Sequence, residues 1–318
     1  MQRNWLQAPE IRPKVLLYLD HLPANSAEVR QAQARLQETA LVRQLLSDQN
    51  ESGLIPFHPY NKWFGAHWVL ACLADLGYPP GDERLRLLLD QCYTWLLSRE
   101  HESRIITLEG RVRRCASQEG NCVYYSLALG LADERTQQLA ERLLRWQWAD
   151  GGWNCDKRPE AHVSSFNETW LPLRGLVYYA RASGDPAAQR AMERAADVLL
   201  QRHLYRRRSD GAVIDRNFIL LHYPHYWHYD FLAGLKVIAE AGLLADPRCA
   251  AALDLLESKR LDDGGFPAGG FPAEARYYRV DDKPLSGHSR VDWGGTSQRL
   301  MNPFVTIDAL RVLADAGR

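Results

Sequence analysis

Residues 146–153 read WQWADGGW and residues 259–266 read KRLDDGGF. Both are one kind of turn: an Asp that bonds its own backbone, glycines that accept left-handed geometry, then a large ring. The preceding Gln or Arg is placed to bond the turn backbone, and the ring to stack on the next element. Trp153 and Phe266 are therefore expected as outer-surface staples rather than site residues. Related turns stand at 206–211, RRRSDG, and 47–54, SDQNESGL.

Four amphipathic segments close with paired leucines, LDQCYTWLLS, LAERLLRW, AADVLLQR and ALDLLESK, and the last three lead into such turns. Apolar residues fall three and four apart, as in Met192, Ala195, Ala196 and Leu199, which is the helical period. Each segment follows a second helical phrase ending in glycine: VLACLADLG, YYSLALG, LVYYARASG and GLKVIAEAG, with ALRVLADAG closing the chain. The glycines are Gly77, Gly130, Gly184, Gly242 and Gly317, at steps of 53, 54, 58 and 75 residues. Glycine there is the usual left-handed helix cap. The unit is a helical hairpin of about fifty residues, and residues 1–46, with RQAQARLQETALVRQLL, add at least one more pair. About six hairpins suffice to close a ring. A linear solenoid would show polar capping units and a stricter repeat, so the expectation is an all-α, single-domain (α/α)6 toroid spanning 1–318.

The whole chain has 318 residues, 39 Lys+Arg against 39 Asp+Glu, and 46% hydrophobic residues. Zero formal charge gives no footprint for nucleic acid, and no apolar run reaches the ~18 residues of a membrane span. The start, MQRNWLQAPEIRPKVLLYLDHLP, has no signal-peptide pattern, so a cytoplasmic protein is expected. Its six cysteines are then reduced thiols or metal ligands. Ten Trp and fourteen Tyr suit an apolar cavity with polar tips.

The turns QWADGGW and KRLDDGGF resemble the Q-x-x-D-G-x-W/F motif of triterpene cyclases and protein prenyltransferase β subunits, a superfamily of α/α toroids. GAHWVLACLADLG, DGGWNCD and VTIDALRVL are similar to small bacterial toroids of prenyltransferase-like type. The resemblance runs from about residue 47 to the end and implies fold more than function. The known activities are not implied. Prenyltransferase zinc is held by an Asp, a Cys two residues later and a distant His, whereas here Cys155 directly precedes Asp156. The D-x-D-D acid box of the cyclases is missing; LDD at 261–263 belongs to a turn and VDD at 280–282 to a polar loop.

Three constellations carry chemistry. Cys115 and Cys122, then Cys155 and His162, form two pairs in corresponding loop regions, a Cys3His set suited to tetrahedral zinc. Four protein ligands make such a site structural, and three leave room for a metal-bound water. The similar bacterial toroids carry a further cysteine near that histidine, where this chain has Ser164 and Ser165. The plain alternative is buried free thiols and a hydrogen-bonded histidine.

The second constellation is the inner wall. With the first helix of each pair facing inward, Trp63, Tyr124, Phe166, Asn167, Trp170 and Tyr229 are cavity candidates, and Asp230, His67 and Tyr226 catalytic ones. The alternative is hairpin-to-hairpin core. Burial is expected to raise the pKa of Asp230 and make it a general acid, against a helix cap or ion pair for the same residue. In LHYPHYWHYDF, His222, His225 and His228 stand three apart, but Pro224 interrupts any helix that would align them on a metal. Third, residues 267–303 form a long loop read as a lid. The leading expectation is an enzyme acting on an apolar small molecule of isoprenoid type. The alternatives are a non-catalytic scaffold with structural zinc, and a carbohydrate-active α/α barrel using Asp230 and Glu168.

Overall fold

The computed structural model describes residues 4–269 and 280–318. Its helices are α1 (Arg12–Tyr18), α2 (Ala27–Gln37), α3 (Ala40–Leu45), α4 (Ala66–Leu76), α5 (Arg86–Leu96), α6 (Arg99–Ser103), α7 (Ser117–Ala128), α8 (Glu134–Trp146), α9 (Phe166–Ser183), α10 (Pro186–Leu200), α11 (Phe231–Glu240), α12 (Ala250–Ser258) and α13 (Pro303–Asp315). A short hairpin, β1 (Ile106–Leu108) and β2 (Arg111–Arg113), lies between α6 and α7. The fold is all-α apart from that insertion.

Helix boundaries follow from local chemistry. Side chains of Ser26, Thr39, Asp133, Ser165, Asp185, Asp230 and Asn302 accept from first-turn N–H groups at seven helix starts, satisfying donors that have no intrahelical partner. The five repeat glycines all have φ between +65° and +78°, the left-handed turn that stops each inner helix.

The first helix of each pair, α4, α7, α9, α11 and α13, packs against its counterparts, and the second covers it outside. The inner helices run parallel, since starts meet starts and ends meet ends. Asn167 at the start of α9 accepts from the Tyr229 N–H before α11 at 3.0 Å, while Arg181 in the last turn of α9 donates to the carbonyl of Glu240 at the end of α11 at 2.7 Å. The sixth inner position is α1, which packs on α13. Its Lys14 pairs with Asp308 of α13 and with Asp75 of α4, so a single lysine joins the two sides of the closure. A solenoid would leave these ends apart.

Two inner helices touch at backbone distance. A Cβ on Gly120 of α7 would lie 2.4 Å from the Pro172 nitrogen of α9, and one on Gly175 would lie 2.5 Å from the Gly120 carbonyl. Only glycine permits that approach.

The aspartate-glycine turns recur as devices. Gln147 donates to the carbonyls of Gly151 and Ala191, both at 2.7 Å, and Gln49 donates to Gly53 at 2.9 Å. The rings differ from expectation: Trp153 and Phe266 are only 1% and 0% exposed, so they are core residues and not surface staples. A threonine in the next inner helix draws each one in. The Trp153 N–H donates to Thr169 Oγ1, and the Phe266 N–H to Thr306 Oγ1.

Of the late loop at 267–303, residues 270–279 lie outside the described residues. The part from 280 onward lies against the ring's upper mouth, the end where the inner helices start. Trp63 N–H donates to the His288 carbonyl at 3.2 Å, Arg290 holds Asp48 through two 2.9 Å bonds, and Val291 and Trp293 are buried. Among the described residues, no helix is long and apolar enough to cross a membrane.

Candidate functional site

Four inner elements leave a cavity of about 30 Å3 on the ring axis, room for one or two waters. Its wall includes Cys72 and Asp75 of α4, Tyr124 of α7, Trp170 and Arg174 of α9, and the 223–226 segment before α11. Of the expected cavity residues, Tyr124, Trp170 and Tyr226 line it. Trp63 lies beside it, stacked on Tyr226 at 4.2 Å and 9°. Phe166, Asn167 and Tyr229 do not line it. Phe166 and Tyr229 pack on each other and on Phe218, and the Tyr229 hydroxyl donates to the Leu204 carbonyl at 2.7 Å. Phe166 and Tyr229 are core, and Asn167 is half-buried with its Oδ1 accepting from the Tyr229 N–H.

Asp230 is fully buried at the N-cap of α11. Its Oδ1 accepts from the Ala233 N–H at 2.8 Å, and its Oδ2 from the His222 N–H at 3.0 Å. The two oxygens also face imidazoles: Oδ1 lies 3.2 Å from His225 Nε2, and Oδ2 lies 2.9 Å from His222 Nδ1. Burial alone would raise this carboxyl, but His225 and His222 outweigh it and hold it well below the usual range. The expected general acid is thus an ionised acceptor. A carboxylate this rich in donors has no reason to keep its proton. Its neighbour His225 is lowered as well, burial outweighing Asp230, which alone would raise it. Neutral His225, backed by ionised Asp230 and part of the cavity wall, has the makings of a general base.

His67 lies elsewhere. It is wholly buried in α4, with Nδ1 3.2 Å from the Tyr125 hydroxyl and Nε2 3.3 Å from Asn121. Desolvation lowers its pKa to about 3, so it is a neutral core histidine. His228 does not join His222 and His225; it stacks on Trp227 at 4.1 Å. Asp230 replaces it in the cluster.

The expected zinc tetrad does not assemble. Cys122 is buried within α7 with its sulfur 3.9 Å from Ser126 Oγ, and His162 is exposed with Nδ1 2.6 Å from the Glu160 carbonyl. Cys115 and Cys155 do converge, and their third neighbour is Glu168. Residue 162 is carried away by the loop that Asp156 and Arg158 fold at 157–163. Glu168 accepts from Ser117 and Cys155, whereas Asp230 faces His222 and His225.

The axis below the cavity holds a feature absent from the sequence reading. Asp75 meets Lys236 at 3.2 Å and Arg174 at 3.0 Å, Lys236 meets Asp308 at 2.5 Å, and Glu240 meets Arg174 at 2.8 Å and Arg311 at 3.4 Å. For Asp75, Asp308 and Glu240, burial alone would raise the carboxyls, but the surrounding cations more than reverse it and keep them ionised. The signal was present in the repeat: Lys236 and Arg311 both stand six residues before a capping glycine, and Asp75, Glu240 and Asp315 two before.

No protein-family model and no curated protein matches the sequence. Among solved structures, the chain is similar over 97% of its length to type II terpene cyclase MstE from Scytonema in complex with geranylgeranyl dihydroxybenzoate, at 17% identity, 86% of that chain and a TM-score of 0.46. The apo form of the same cyclase aligns at 17% identity over 97% of this chain and 88% of the other, TM-score 0.44. A protein from Actinoplanes aligns at 20% identity over 98% and 90%, TM-score 0.43.

Proposed function

We propose that this chain is an enzyme that takes up an apolar molecule of isoprenoid type at the ring axis and moves a proton on it with His225. One juxtaposition supports the reading: a neutral histidine oriented by a buried carboxylate, in a wall shared with Tyr124, Trp170 and Tyr226. Aromatic faces suit an apolar chain and any positive charge developing on it. Asp230 fixes the imidazole and stabilises its charged form after proton transfer, as an orienting carboxylate does.

The test is a panel of prenyl alcohols and diphosphates, read by tryptophan quenching and by melting temperature. Any member that binds is then followed for turnover. His225→Gln is expected to lower kcat by about 10²–10⁴-fold with binding retained. A panel without quenching or thermal shift, or a variant with full turnover, sinks the reading. A toroid that binds such a molecule without catalysis would instead show binding with no turnover in the parent chain.

A further inference from the structure

Cys115, Cys155 and Glu168 come from three separate segments, yet one ligand atom from each lies within 4.8 Å of the others. Backbone bonds fix all three. Residue 113 is bridged to residue 154, and the Arg114 N–H donates to the Asn154 carbonyl at 3.3 Å, which sets Cys115 beside Cys155. The Ser165 N–H donates to the Trp153 carbonyl at 2.9 Å, which ties the same strip to the start of α9, where Glu168 projects. Glu168 is held by the Ser117 N–H on Oε2 at 3.0 Å and by the Cys155 thiol on Oε1 at 3.5 Å. Among the described residues no Lys, Arg or His lies within ion-pair distance of it, although it is only 7% exposed.

We infer that Cys115, Cys155 and Glu168 form a binding site for one thiophilic divalent cation, zinc by preference. Two sulfurs and one oxygen are a donor set that zinc accepts, and a tetrahedral zinc holds S and O donors about 3.6 Å apart, close to the distance already present between Cys155 and Glu168. Binding releases two thiol protons and sets a positive charge in direct contact with the buried carboxylate. Both cysteines are half-buried, so a fourth position is left toward solvent. The site is independent of the axial reading, because it uses neither His225 nor Asp230.

The experiment is metal analysis of the full chain purified without added metal, followed by removal with a chelator and reloading with Co(II). About one equivalent of zinc is expected, and the cobalt form should show thiolate-to-metal charge-transfer absorption. Cys115→Ser and Cys155→Ser should each weaken metal binding by about tenfold or more and remove that absorption. Cys122→Ser and His162→Ala should keep both. If the serine variants fail to fold, stripped parent protein should melt lower and recover with zinc. Below about a tenth of an equivalent in the parent together with no cobalt charge-transfer band, undiminished metal in the Cys115→Ser/Cys155→Ser double variant, loss with Cys122→Ser or His162→Ala, or a Cys115–Cys155 disulfide in the intact protein would each overturn the site.

Discussion

The two ends of the ring axis treat buried charge in opposite ways. At the lower end four cations, Lys14, Arg174, Lys236 and Arg311, meet four carboxylates, Asp75, Glu240, Asp308 and Asp315. Each charge has a partner, and the carboxylates at the ends of α4 and α11 would oppose the helix dipole without their cations. At the upper end Glu119 of α7 is matched by Arg114 at 3.1 Å, but Glu168 faces two thiols and Asp230 faces two imidazoles, none of these four a fixed cation. Matched charge makes a scaffold, whereas groups whose charge depends on a proton or a metal are available for chemistry. The same helices serve both ends: Glu168 and Asp230 stand at the starts of α9 and α11, while Asp75, Glu240 and Asp315 stand in the last turns of α4, α11 and α13.

The largest expected effect comes from breaking the matched end. Asp308→Asn leaves Lys14 and Lys236 buried beside an amide and should cost roughly 3–5 kcal/mol of unfolding free energy, measured by urea titration. A loss under about 1 kcal/mol would erase the distinction between the ends.

Acid should distinguish them next. His67 has a folded pKa of about 3 against an ordinary 6.5, so the unfolded chain takes up a proton that the folded chain refuses as pH falls below 6.5. Stability is therefore lost from pH 6.5 downward, by about 1.4 kcal/mol per unit for this one group. Asp230 acts in the same direction but in a lower window: its depressed pKa stabilises fully above the ordinary value of 3.8, and that contribution fades as pH falls below it. The lower-end carboxylates behave likewise, so between pH 6.5 and about 4 the loss comes from buried histidines. His67→Gln should flatten the curve in that window, and an unchanged slope would count against it.

The smallest effect sharpens the comparison at a single cap. Ser165 accepts from the Glu168 N–H at 3.1 Å, and Ser165→Ala should lower stability by about 1 kcal/mol. Since only the upper end of α9 is touched, the acid profile of the lower carboxylates should not move.

Much of the ring was legible because its signals are local. A glycine cap, a glutamine reaching a turn four residues on, and a serine before a helix each declare themselves within one turn of chain. The lower network was not legible, because Lys14 and Asp308 are 294 residues apart and meet only when the ring closes. Asp230 failed differently. Burial and helix capping were both in view, but the direction of its shift was decided by two imidazoles whose orientation no spacing reveals. Cys115 and Cys155 were expected in one cluster with Cys122 and His162, and the structure sets them beside Glu168 instead, because the bridge from 113 to 154 fixes the strip against the start of α9. Trp153 was misplaced for a similar reason: Thr169, sixteen residues on, pulls it inward.

The glycine contact between α7 and α9 means that the six staves are not equally joined. Two of them share a backbone surface with no side chains between, so that joint has nothing to repack and no room to slide. Flexing has to be taken up elsewhere, and the weakest hoop is α1, seven residues long and held across the seam by Lys14. The ring is thus a bracelet with a welded link on one side and a clasp on the other. Amides of α7 and α9 should exchange with solvent only on global unfolding, while those of α1 exchange through local opening.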